Sequence, residues 1–247
     1  MVNSSATAPT ASADEVARFT AIADAWWDPS GKFKPLHKFN AIRLDFMRRH
    51  LAAHFGRDAP LAAPFGGLTL LDVGCGGGLL SEPLARQGFA VTGIDAGDKN
   101  IAVAAAHAAE SGVAIDYRQA GPEDLDGESF DVVLAMEVID HVPDPAAFLA
   151  LTCRRLKPGG AFFGATLNRT TKSYALAVMG AEYVLRWLPM GTHDWQKFVK
   201  PSEFAGYLRG GGVEVAALTG LTYAPLRDDW RETDSVDVNY LVFGTKG

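Results

Sequence analysis

The chain has 247 residues, 48% hydrophobic and 21% charged, the balance of a globular protein with room for one large core. It carries 23 Lys and Arg against 29 Asp and Glu, a formal net charge of −6. No cluster of cations stands ready to neutralise a phosphate backbone, so a nucleic-acid partner is excluded. Its two cysteines, Cys75 and Cys153, cannot form a disulfide framework and suggest a reducing compartment. No run is apolar for the length of a bilayer, and the first residues lack the basic start and apolar stretch of a secretion signal, so a cytoplasmic location is expected.

Residues 1–13 are rich in Ser, Ala and Thr and are expected to form a disordered tail. From Asp14 the spacing of Phe19, Ile22, Ala23 and Trp26 predicts a helix. A second helix is expected from about 36 to 55, so that 14–65 forms an N-terminal helical cap. Beyond residue 66, short apolar runs alternate with helical patterns. Strands are expected over 68–73, 89–94, 114–118, 130–135, 161–166, 213–218 and 237–243, with helices over 79–87, 98–110, 145–156 and 201–208.

Strand–helix alternation of this kind specifies an α/β fold: a Rossmann-like, doubly wound, mostly parallel sheet of seven strands filling 66–247. Residues 168–199 interrupt it with an aromatic-rich amphipathic segment, read as an inserted lid. Such sheets bind ligands beyond the carboxyl ends of their strands, which directs attention to the loops after Val73, Ile94 and Ala135.

The first of these loops is Gly74-Cys75-Gly76-Gly77-Gly78, running from a strand into a helix. A dinucleotide fingerprint needs a third glycine where Leu79 stands, and Asp72 just ahead of the loop would repel a pyrophosphate. A carboxylate there suits a cationic ligand without phosphate, and S-adenosylmethionine fits: its ammonium and sulfonium face Asp72 while its carboxylate meets backbone amides at the helix start. Asp95, at the end of the second strand, stands where doubly wound sites place the acid that holds ribose hydroxyls. Asp124 lies near the adenine in this scheme, or is a surface-loop acid.

After the fourth strand come Met136, Glu137, Asp140 and His141. Spaced i, i+3, i+4 on a helical turn, the last three would project from one side, a donor set suited to Mg²⁺ or another divalent cation. The plainer reading leaves Glu137 and Asp140 as loop carboxylates, with His141 packed under the cofactor. Asp144, before Pro145, reads as the cap of the next helix.

Taken with Trp26-Trp27-Asp28, Gly31, the Phe33-to-His37 run, Arg43, Thr166-to-Arg169, Gly180-to-Tyr183, Gly191-to-Asp194 and Val236-to-Tyr240, these residues carry a resemblance. From Phe19 to Tyr240 the chain resembles the bacterial ubiquinone biosynthesis O-methyltransferases, class I enzymes dependent on S-adenosylmethionine. The glycine loop is common to methyltransferases; the tryptophan pair, Lys34-Pro35-Leu36-His37 and Gly191-Thr192-His193-Asp194 are specific to this family. The family carries Glu where Asp140 stands, and Pro where Ala41 stands.

The resemblance implies that Arg43, Gly74, Asp95 and Met136 line the cofactor site with Asp72 and Gly76, and that Glu137, Asp140 and His141 hold a divalent metal. It implies methylation of ring hydroxyls on polyprenylated phenols and quinols, with the metal lowering the phenol pKa, or with His141 or His193 as general base. A water-insoluble substrate implies peripheral contact with an anionic membrane, the inner face of the cytoplasmic membrane, through 170–189, and membership of a ubiquinone-biosynthesis complex. The same segment reads equally as a helix packed on the sheet or a dimer contact. Two other functions share these residues: methylation of a different hydrophobic acceptor, and cofactor binding without catalysis inside a complex.

Overall fold

The computed structural model describes residues 10–28, 34–58, 62–176, 194–224 and 229–247. Helix α1 (Ala13–Thr20) and the long α2 (Lys34–Phe55) precede the sheet. Strand β1 (Thr69–Val73) leads to α3 (Ser81–Arg86), β2 (Ala90–Asp95), α4 (Asp98–Ser111), β3 (Asp116–Gln119), β4 (Phe130–Met136), α5 (Pro145–Arg154) and β5 (Leu156–Leu167). A short turn, α6 (Thr171–Ser173), is followed further on by α7 (Pro201–Gly210), β6 (Val213–Ala224), β7 (Asp229–Thr233) and β8 (Asn239–Lys246).

The sheet has the order β3-β2-β1-β4-β5-β8-β6-β7. Its first five strands are parallel, and β8, β6 and β7 pair antiparallel. The winding reverses between β1 and β4, so a crevice opens above β1. Register fixes what meets there: Val73 lies level with Ile94 on one side and with Ala135 on the other. The residues that follow these three therefore emerge together at one end of the sheet.

Eight strands replace the seven expected. β7 is the addition, paired with the outer half of β6 from Gly220 to Ala224. Its sequence, Asp-Trp-Arg-Glu-Thr, lacks the apolar run that marks the central strands, and it sits at the sheet edge with β6 as its partner. β6 itself continues well past residue 218, where the expected strand ended.

Both faces of the sheet are buried at its centre, which is why β1, β4 and β8 read as continuous apolar runs. Alternate residues supply two cores. Leu71, Val73, Val133 and Ala135 pack with Phe148 and Leu149 of α5 and Phe204 and Leu208 of α7. Leu70, Val132 and Leu134 pack with Phe46, Met47 and Leu51 of α2 and Leu84 of α3. Local chemistry sets the helix ends: the Asp144 carboxylate accepts from the Ala147 amide at 2.9 Å with Pro145 in the first turn, and α4 stops at Gly112 in the left-handed conformation. Among the described residues no helix is long and apolar enough to cross a membrane.

Candidate active site

The glycine loop leaves β1 at the reversal point. Gly74 and Gly76 adopt φ of +73° and +53°, conformations that L side chains rarely take. A Cβ at Gly76 would stand 2.7 Å from the Trp26 ring, and one at Gly74 2.8 Å from a Val138 methyl. The loop is thus closed from above by Trp26, whose Nε1 donates to Asn100 Oδ1 at 3.0 Å. Trp27 donates to the Gly77 carbonyl at 2.8 Å and stacks on His107, ring centroids 3.5 Å apart. His37 Nε2 lies 3.0 Å from the Trp26 carbonyl. Trp26, Trp27 and His37 thus meet beside the glycine loop, while Phe33 lies outside the described residues.

Asp95 ties the loop to α4. Its carboxylate accepts from the Gly76 amide at 3.0 Å, the Gly97 amide at 2.8 Å and Asn100 Nδ2 at 3.0 Å. Asp72 is buried and accepts from Ser81 Oγ at 2.6 Å. Burial pushes its carboxyl pKa up to about 6; the Ser81 hydrogen bond resists and the nearby Asp95 adds to the rise. An acid in this state is poised for a cation. Asp124 accepts from the amide of Gly121, in its own turn, and does not line the crevice.

On the other side of β1, the chain leaves β4 through Glu137 at φ +56°, the one non-glycine among the described residues with positive φ. Strain of this kind persists where surrounding contacts impose it. Here the Glu137 amide donates to the Ala165 carbonyl at 2.9 Å and its carboxylate pairs with Arg43 of α2. The Arg43 guanidinium is buried and lies 3.9 Å over the Phe39 ring. Burial pulls its pKa down, and Glu137 opposes that pull.

Asp140, also buried, accepts from Thr166 Oγ1 at 3.1 Å, and His141 Nε2 lies 3.5 Å from its other oxygen. His141 Nδ1 faces Glu15 of α1 at 3.2 Å, and Phe19 meets the imidazole edge-on at 5.0 Å. Burial opposes charge on His141, but the Asp140 and Glu15 carboxylates outweigh it and raise its pKa. The hydrogen bond from His141, only partly offset by burial, holds Glu15 at about 2.

Arg43, Asp72, Gly74, Gly76, Asp95, Met136, Glu137, Asp140 and His141 all line one cavity of about 820 Å³, so the sequence-derived set is gathered in one place. The geometry expected for a metal is not. The helical turn that would align the trio does not form, because Glu137 turns left-handed and only Ile139–His141 make a 3₁₀ turn. Glu137 then faces Arg43, Asp140 faces Thr166 and His141 faces Glu15. Among the described residues no three His, Cys, Asp or Glu side chains converge on a point a cation could occupy. His193 lies outside the described residues, as do Tyr183, Arg186 and Trp187 of the expected lid.

Sequence reasoning missed Glu15, Asn100 and Thr166. Asn100 stands in the first turn of α4, five residues after Asp95, a signal that was present; Glu15 and His141 are joined only by the tertiary fold.

A reversal-point crevice with a glycine loop, an acid on each of two adjacent strand ends and no phosphate-binding fingerprint defines a class I, S-adenosylmethionine-dependent methyltransferase. A family model described as "Methyltransferase domain" matches residues 71–164. The fold is similar to magnesium protoporphyrin IX methyltransferase from Synechocystis PCC 6803 with SAH bound, at TM-score 0.64 and 18% identity over 95% of this chain and 94% of that one. It is also similar to a SAM-dependent methyltransferase from Aquifex aeolicus, at TM-score 0.60 and 14% identity over 92% and 98%. The chain belongs to the ubiquinone biosynthesis O-methyltransferases: it is 69% identical to that enzyme of Paramagnetospirillum magneticum over 96% of both chains, and 56% identical to that of Caulobacter vibrioides over the full length of both.

Proposed function

We propose that the cavity binds S-adenosylmethionine along the carboxyl ends of β1, β2 and β4 and transfers its methyl group to a ring hydroxyl of a polyprenylated phenol or quinol. Asp95 holds the ribose hydroxyls, Asp72 faces the cationic end of the methionine moiety, and Trp26 covers the glycine loop. The sulfonium methyl then points toward Met136 and the Glu137–His141 turn. The observation that carries this reading is the convergence of all nine described site residues on one cavity at the reversal point.

A phenol, with its pKa near 10, is a poor nucleophile at neutral pH. His141 is the group suited to take its proton. Its Nδ1 lies 3.2 Å from Glu15 and 3.4 Å from Arg18 Nη2, and its Nε2 3.5 Å from Asp140, so the imidazolium that forms lies between two carboxylates. A positioned base of this kind contributes about 10²–10⁴-fold, and alignment of oxygen, methyl and sulfur supplies much of the rest. As arranged, Glu137, Asp140 and His141 do not converge on one point: Glu137 would have to leave Arg43 to meet the other two.

The deciding experiment is methyl transfer from S-adenosylmethionine to a short-chain prenyl catechol, assayed before and after chelation. Turnover that survives chelation supports the histidine base; turnover lost to the chelator and restored by Mg²⁺ returns the task to a cation. Cofactor binding without transfer to any quinol precursor would favour a non-catalytic role in a biosynthetic complex.

Membrane docking through 170–189 is part of the same proposal. Its support is the exposure of Tyr174 and Leu176 beside Lys172, a mixture suited to an anionic interface. Deleting the segment is expected to abolish co-sedimentation with anionic vesicles while folding survives; continued pelleting would place the docking surface elsewhere.

A further inference from the structure

The cavity does not end at the turn after β4. It runs on across the antiparallel side of the sheet, where its wall becomes apolar and aromatic: Leu36 and Phe39 of α2, Leu221 and Tyr223 of β6, and Trp230 of β7. Register explains how these meet. β6 stays paired with β8 as far as Leu221, opposite Asn239, while its pairing with β7 continues to Ala224, opposite Asp229. The β6–β7 hairpin therefore overhangs the end of the sheet where the crevice opens. Period two puts Leu221 and Tyr223 on one face, and Trp230, directly opposite Tyr223, joins them.

The Trp230 indole packs on Phe39, ring centroids 4.5 Å apart, and on Tyr223 at 5.5 Å. Phe39 in turn lies beneath the guanidinium of Arg43, which pairs with Glu137. An apolar path thus leads from the turn after β4, along α2, to the hairpin. Arg49 of α2 pairs with Glu232 of β7 and holds the two walls together.

The cofactor, placed along β1, β2 and β4, does not fill this region. β6 stands three strands beyond β4, roughly 14 Å at about 4.8 Å per strand. A cavity of about 820 Å³ is large among ligand pockets, which run from about 300 to 1,000 Å³, and has room for a second molecule. Both walls also lie outside residues 71–164, the part matched as a methyltransferase domain, as expected of elements that serve an acceptor rather than the shared cofactor. Their five side chains carry no charge and suit an uncharged, flexible hydrocarbon.

We propose that the β6–β7 hairpin and the N-terminal half of α2 form the subsite for the acceptor's isoprenoid tail, laid along Phe39, Trp230 and Tyr223 with the ring at the turn after β4. This deepens the reading above and rests on it, since the cavity must first be the one that methylates a prenylated ring.

The test uses the full-length protein, S-adenosylmethionine and two acceptors: a farnesyl catechol, and the same ring with a methyl group in place of the tail. Wild type should favour the farnesyl acceptor in kcat/KM, chiefly through KM, because tail contacts are alike in the ground and transition states. Trp230→Ala and, separately, Tyr223→Asp should lower the farnesyl-over-methyl preference by roughly tenfold or more, while Trp230→Phe keeps most of it. S-adenosylhomocysteine affinity should stay close to wild type in all three. A farnesyl catechol carrying a diazirine at its tail end, irradiated with wild type and S-adenosylhomocysteine, should label peptides spanning 34–43 or 221–233.

Equal kcat/KM for both acceptors in wild type, a preference that survives in the variants, or labels confined to peptides elsewhere, such as 170–189, would overturn the tail subsite and leave methyl transfer intact. If Tyr223→Asp keeps the preference but converts a sedimenting dimer to a monomer, the trough receives a second copy of the chain instead. If neither acceptor is methylated although S-adenosylhomocysteine binds, the reading of the reaction fails first and the subsite falls with it. Should Trp230→Ala fail to fold, Tyr223→Asp and the labelling of wild type decide.

Discussion

The indole Nε1 of Trp26 donates to Asn100 Oδ1 at 3.0 Å, and the same amide passes the contact on, donating from Nδ2 to Asp95 at 3.0 Å. The cap, α4 and the acid on β2 are thus joined through one buried side chain. The chain has to bring residues from before the sheet onto the glycine loop for this network to exist. Loss of any member should therefore be felt at the cofactor.

Trp26→Ala uncovers the loop and frees Asn100 to turn away from Asp95. We expect S-adenosylhomocysteine affinity to fall by roughly 10–100-fold, the loss of one well-packed aromatic contact and its hydrogen bond. Asp95→Ala should cost more, since it removes the proposed ribose acceptor and three hydrogen bonds that shape the loop. Calorimetric titration measures both. An Asp95→Ala affinity equal to wild type would refute the ribose assignment.

Gly76→Ala tests the loop itself. The new Cβ meets the Trp26 ring at 2.7 Å, and φ of +53° is strained for alanine by about 1 kcal/mol or more. The ring must leave, so cofactor binding should fall at least as far as in Trp26→Ala. Combining the two substitutions should then cost little beyond Gly76→Ala alone, because the clash has lost its partner. Additive losses in affinity would show that the glycine is needed for something other than Trp26.

These two sites differ in how far the sequence announces them. The glycine loop, Asp72 and Asp95 are legible because local rules place them: a strand, a tight turn and a helix start lie within a few residues of one another. The same locality made the parallel strands and the Asp144 cap readable. Asp229–Thr233 was not, since an edge strand carrying Asp, Arg and Glu lacks an apolar signature and is specified by the partner it extends. The turn after β4 differs from its expected form for a related reason. Its i, i+3, i+4 spacing assumed a helical turn, whereas Glu137 is left-handed and its carboxylate meets Arg43, far off in sequence. Glu15 beside His141 is tertiary information throughout.

That pairing of Arg43 with Glu137 has its own consequence. Glu137→Gln leaves a buried guanidinium over Phe39 with a weaker, neutral partner. Since Glu137 is itself about a quarter exposed, the cost should fall below that of breaking a fully buried pair, about 1–3 kcal/mol, or roughly 3–10 °C in melting temperature. Adding Arg43→Met should return part of it by removing the orphaned charge. A melting temperature unchanged in Glu137→Gln would mean that the pair contributes nothing to the fold.

Asp72 sets a pH dependence that can be read without any acceptor. Its folded-state pKa, about 6, lies above the ordinary 3.8. The sign follows from linkage: the folded, cofactor-free protein prefers the protonated acid, so the stability Asp72 contributes is fully present below about pH 3.8 and is lost as pH rises through 6. A cationic cofactor reverses the preference, because it selects the carboxylate. Affinity for S-adenosylmethionine should therefore weaken about tenfold for each pH unit below 6 and level off above it, with about half a proton released per site at pH 6. Calorimetry in buffers of different ionisation enthalpy reads that proton directly. In Asp72→Asn both the release and the acid limb should vanish, together with the gain in thermal stability on acidification. A proton release that persists in Asp72→Asn would assign the titration, and with it the cationic end of the cofactor, to another residue of the cavity.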